Sequence, residues 1–221
     1  MIIQALFAGK PQPFGPRKSP SSIVKHPYDA LDIGPEGALQ DEQGNKKLHG
    51  GPEMALHHYS HKGYEQLKLA FPEAVERFQI GSIGENLSCG IMNDENVFIG
   101  DIYRMGEVLV QVSSPRAPCV KINQRYGLKN ADLLIAEQGI TGWYYRIIET
   151  GKVFVGGEIS LEHRLRDTIS IKQLMRIVRS KKSANQVTNF DQAQAAQQTL
   201  ERRRAASIQA LSKEWVRKLK A

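Results

Sequence analysis

Cysteine is nearly missing from this chain: Cys89 and Cys119 are the only two in 221 residues. That excludes a disulfide framework and points to a reducing compartment. Long hydrophobic runs are missing as well. No stretch approaches the length of a transmembrane helix, so no membrane partner is expected. The opening MIIQALFAGKPQPFGPRK lacks the basic region and long apolar core of a secretory signal. Together these absences set the expectation of a cytoplasmic protein. No glycine-rich stretch ends in Gly-Lys-Ser/Thr, which excludes a nucleotide-type phosphate loop.

What is present is ordinary for a globular protein: 41% hydrophobic and 24% charged residues, in a chain long enough to bury a sizeable core. The net charge of +7 is unevenly spread. Residues 164–221 carry 14 lysines and arginines against 4 acids, while residues 1–163 are nearly balanced. A solvated helical face explains that charge more simply than nucleic-acid binding does.

Two styles of sequence meet near residue 168. Before it, MIIQALFAG, SSIVKH, NVFIGDIYRMG, EVLVQVSS, GWYYRIIET and GEISLEHRL read as short strands between turn residues. KGYEQLKLAFPEAVERF reads as helical turns broken near Pro72, and NADLLIAEQG as a short helix from Asn130 to Gly139. After it the period becomes helical. TISIKQLMRIVRS offers Thr168 or Ser170 as an N-cap, and residues 189–220 contain no Gly or Pro. Leu211, Trp215 and Leu219 fall on one stripe. The expected fold is α+β, predominantly β: a β-barrel domain over residues 1–167 and a small three-helix domain over 168–221.

SSPRAPCVKIN, residues 113–123, holds Cys119 on a loop stiffened by Pro115 and Pro118, between Arg116 and Lys121. Cations favour the thiolate, which can act as a nucleophile or as a ligand to a soft or redox metal. A buried structural cysteine is the plain alternative. In KKLHGGPEMALHHYSHKGY, His49 precedes Gly50-Gly51, where backbone can approach a ligand closely. His57 and His61, four apart, would bind zinc only on a helix, and LHHYS is as compatible with a strand. GSIGENLSCG sets Glu85 and Asn86 on a tight turn, and Lys25 leaves the predicted strand SSIVKH.

SSIVKHP, LHGGPEMALHHY, GSIGENLS and the cysteine loop, in this order, resemble the MOSC domain family, named for the C-terminal domain of molybdenum cofactor sulfurase, and within it the stand-alone bacterial proteins of the YiiM type. The resemblance implies a β-barrel body that binds molybdenum cofactor (a molybdopterin of the sulfite oxidase-like type), with Cys119 as protein ligand to the metal. It implies two-electron reduction of N-hydroxylated compounds such as 6-hydroxylaminopurine, with electrons from a sulfite reductase-like flavoprotein. A non-catalytic carrier of the cofactor is the alternative. On the implied cofactor, Lys25, Arg116 and Lys121 are candidates for the phosphate, Asn86, Ser113 and the Gly50-Gly51 backbone for further polar contacts, and His49 for the proton donor. Relatives carry Gly-Asp-Glu-Gln-Ala-Asp/Glu before His-Gly-Gly. Here Gln40 stands for the glycine and Asn45 for the acid. Cys89 has no expected counterpart.

Overall fold

In a computed structural model, which describes residues 1–44, 50–184 and 192–220, alternating apolar residues build a curled sheet. Its strands are β1 (Ala5–Ala8), β4 (His26–Tyr28), β7 (Leu56–His58), β8 (Leu87–Ser88), β9 (Ile102–Met105), β10 (Val108–Pro115), β11 (Trp143–Glu149) and β13 (Ile159–His163). They pair in the order β13-β9-β10-β11-β7-β8-β1-β4, giving a half-barrel that is antiparallel except at β7–β8. The long β10 shows the governing pattern: Val108, Val110 and Val112 are buried, while Leu109 and Gln111 are only half-buried. β5 (Ala30–Gly34), β6 (Gly37–Ala38) and β12 (Gly151–Phe154) form a second sheet. β2 (Gln12–Phe14) and β3 (Ser19–Ser21) form a separate hairpin.

The helices follow the local signals closely. α1 (His61–Ala70) ends before the 3-10 turn that Pro72 opens. α2 (Lys121–Tyr126) follows the cysteine loop, and α3 (Ala131–Gln138) stops at Gly139, whose φ is +64°. α4 (Ile171–Ala184) opens on a capping box: Gln173 N–H donates to Ser170 Oγ, and Ser170 N–H donates to Gln173 Oε1. α5 (Gln192–Ala206) and α6 (Lys213–Lys220) complete the C-terminal part. No helix among the described residues is long and apolar enough to cross a membrane.

Two apolar clusters result. One joins the half-barrel to α4, α5 and α6, so that Leu211, Trp215 and Leu219 share a core with Val110 and Val112. The other lies among α1, α2 and α3 and includes Ile23, Phe78 and Ile83. The strand expected over SSIVKH is instead an irregular link between β3 and β4. The reason is a close crossing. Gly9 and Gly84 flank the link, and a Cβ at either would stand 2.7 Å from the Val24 carbonyl or 3.1 Å from Ile23 Cα. The chain passes between two glycines instead of joining a strand ladder, and this threading delivers Lys25 to the functional cleft.

Candidate functional site

A cleft opens where β7, β11 and the cysteine loop meet the β3–β4 link. Lys25, Asp41, His57, Asn86, Arg116, Cys119, Lys121 and Tyr144 all line it. The fold therefore gathers Lys25, Asn86 and the cysteine-loop residues from positions far apart in sequence. Cys119 is a free thiol and half-buried, and Cys89 is buried in the core of the half-barrel.

Arg116 follows the last residue of β10. Its backbone N–H donates to the Gly142 carbonyl at 3.1 Å, which pins the cysteine loop beside β11. The residue is 8% exposed, and Nη1 has no hydrogen-bond partner. Beside it stands Tyr144, whose phenol is pushed up by burial and held back by the Arg116 guanidinium. Tyr144 pairs across strands with His57, ring to ring at 5.3 Å. The His57 imidazole is held well below its ordinary range, first by burial and then by the Arg116 charge. The Gly84 backbone opposes the shift, and Nε2 is buried without a hydrogen-bond partner, so the ring is neutral.

Lys25 meets Asp41 in a buried ion pair, and burial lowers the ammonium below its usual range although Asp41 opposes the shift. Asp41 also accepts the Gly9 N–H at 2.8 Å and the Asn86 amide at 2.8 Å. Asn86 is fully engaged in this framework: its amide donates to Asp41 and to the Phe7 carbonyl, and its oxygen accepts the His57 N–H. Asn86 thus stands at the cleft with its polar groups occupied by the wall. Glu85 turns the other way. It is fully buried, Oε1 accepts the Tyr64 hydroxyl at 2.7 Å and the Gly81 N–H at 2.6 Å, and Oε2 is bare. Burial raises its carboxyl.

The other candidates are placed as follows. Lys121 lines the cleft and donates to the Pro20 carbonyl at 2.7 Å. Ser113 is fully buried on β10, its hydroxyl on the Glu53 and Tyr144 carbonyls. Gly50 and Gly51 lead into the turn Pro52–Met54, whose Met54 lines the cleft. His49 and Asn45 lie outside the described residues. Gln40 bonds Asp32 with both ends of its amide. His57 sits on β7 while His61 opens α1, so the pair shares no helix face. Among the described residues no group of three His, Cys, Asp or Glu can hold a metal.

Tyr144 and Asp41 escaped the sequence reading as site residues. A signal for Tyr144 exists. In WYYRIIE the alternation sends Trp143 and Tyr145 to the core and leaves Tyr144 on the opposite face.

The residues fit an anionic cofactor with a metal. A soft donor, Cys119, stands at the cleft with two buried cations, and Arg116 Nη1 awaits an acceptor. The MOSC domain profile matches residues 45–160. The chain is 40% identical to protein YiiM of Escherichia coli (strain K12), over 73% of this chain and 72% of that protein. It is 36% identical to a protein named Reductase from Gibberella moniliformis (strain M3125 / FGSC 7600), over 73% of this chain but only 29% of that longer protein. The crystal structure of YiiM from Escherichia coli superposes with a TM-score of 0.75 at 29% identity, covering 100% of this chain and 91% of that one.

Proposed function

The chain belongs to the MOSC domain family, and on that footing we propose that it is a molybdenum cofactor-dependent reductase of N-hydroxylated compounds such as 6-hydroxylaminopurine. The observation that carries this reading is the bare, buried Nη1 of Arg116 in the same cleft as the Cys119 thiol. When bound, the cofactor supplies two-electron redox chemistry at a metal. Cys119 would be its protein ligand. Pro115 and Pro118 limit the conformations of the loop that aims the sulfur. Arg116, Lys25 and Lys121 would hold the phosphate of the pterin, with the arginine suited to a bidentate grip. His57, kept neutral by burial and the Arg116 charge, adds an uncharged wall to the cleft beside Tyr144. Reduction of N–OH to N–H consumes two electrons and two protons and releases water. The electrons would come from a separate flavoprotein.

The test is molybdenum content together with donor-dependent reduction of 6-hydroxylaminopurine, for the wild type and Cys119→Ala. Wild type should hold molybdenum and turn over, and the variant should lose turnover. A variant that keeps both overturns the reading. Bound molybdenum without turnover in the wild type would favour the carrier alternative instead.

A further inference from the structure

Four buried charged side chains stand at or behind the cleft: Lys25 and Arg116 against Asp41 and Glu85. With both carboxylates ionised the four charges cancel, and Lys121 on the cleft wall adds one positive charge. A dianion entering beside these cations would leave one negative charge uncompensated in a medium where that is costly. One of the two acids must then take a proton, and the geometry separates them. Asp41 has both oxygens on Lys25 and further bonds from Gly9 and Asn86. Glu85 has Oε1 occupied and Oε2 without any partner.

We infer that Glu85 is the proton acceptor of the anion site: a dianion and one solvent proton enter together, and the proton settles on Glu85 Oε2. This rests on the reading that the cleft takes the phosphate of a cofactor. It makes Glu85 a residue that selects the charge state of what the cleft will hold. The groups facing Glu85 suit the role. Tyr64 from α1, Tyr59 from the turn after β7 and Tyr126 from α2 are all phenols raised above their usual range by burial, and so are neutral throughout. Arg116 from the cysteine loop and Lys25 from the β3–β4 link are the cations. Burial raises the Glu85 carboxyl, which favours its protonated form.

Sulfate is a suitable probe because it stays a dianion across the pH range of interest. Its binding is followed by calorimetry at constant ionic strength, in two buffers of different ionisation enthalpy, with the wild type, Glu85→Gln and His57→Gln. The expected result is uptake of close to one proton per sulfate by the wild type. The apparent Kd should rise about tenfold per pH unit once Glu85 is ionised in the empty site. Glu85→Gln should bind with no uptake and a flat profile, and His57→Gln should keep the wild-type slope. If a variant fails to fold, infrared difference spectra of the wild type replace it: a protonated-carboxyl band should appear on sulfate binding, and uptake without that band overturns the role of Glu85. Sulfate binding without proton uptake overturns the role of Glu85 and leaves the anion site standing. Uptake that vanishes in His57→Gln also overturns it. No sulfate binding at any pH overturns the anion site itself.

Discussion

Lys25 and Asp41 face each other across the cleft wall, with the ammonium 2.5 Å from both carboxylate oxygens and the two side chains 5% and 6% exposed. Such a pair is costly to break because the surviving charge stays buried. Asp41→Asn keeps the size of the side chain and removes the charge. It should destabilise the protein by about 3–5 kcal/mol in urea unfolding. A loss below about 1 kcal/mol would show that water already compensates the pair.

Arg116 gives a different expectation. Its guanidinium has no acidic partner among the described residues, and Nη1 is bare. Arg116→Leu should therefore cost less stability than Asp41→Asn, while binding of sulfate or phosphate drops by at least tenfold. A variant that is both less stable than Asp41→Asn and equally able to bind anions would contradict this.

His58 lies on β7 with Nδ1 3.1 Å from the Tyr145 hydroxyl, and burial holds its imidazole down to about 3. A depressed base stabilises the fold above its unfolded value of 6.5, and that contribution is lost as pH falls from there toward 3. Stability of the wild type relative to His58→Gln should fall by about 1.4 kcal/mol per pH unit below 6.5. Urea unfolding at pH 6.5, 5.5 and 4.5 measures the slope, and parallel curves would refute it.

Asp94 has the reverse sign. It accepts the Gly142 N–H at 2.8 Å, and Gly142 in turn accepts the backbone N–H of Arg116. Burial raises its carboxyl from 3.8 to about 6. An acid raised in the fold favours the folded state at low pH, and the contribution is lost as pH climbs through about 6. Stability relative to Asp94→Asn, which keeps an acceptor for Gly142, should fall by about 2.4 kcal/mol between pH 4 and 7. No change over that interval would place Asp94 in a better solvated setting.

Local rules carried the helices. Pro72, Gly139 and the Ser170 cap stand where chain chemistry puts helix ends, and the stripe Leu211, Trp215, Leu219 is buried as its spacing predicts. The convergence of Lys25, Arg116 and Cys119 on one cleft came from motif resemblance and not from periodicity. What stayed hidden depends on contacts across long sequence distances. No local pattern says that Asp41 gathers Lys25, Gly9 and Asn86, or that Glu85 leaves one oxygen bare. The strand expected over SSIVKH failed for the same reason, since the glycines that displace it lie 15 and 61 residues from Val24 and Ile23, which they meet. The turn GSIGENLS does present an acid and an amide, but both engage the wall from inside.

The sharing of one core between the half-barrel and α6 bears on how the chain folds as it is made. Trp215 and Leu219 fill the same cluster as Val110 and Val112, and the Ser212 N–H donates to the Ser113 carbonyl two residues before Pro115. During synthesis the strands that frame the cleft leave the ribosome well before the residues that cover their apolar face. The nascent half-barrel must wait with that face open, and the strand leading into the cysteine loop is fastened from behind only when α6 emerges.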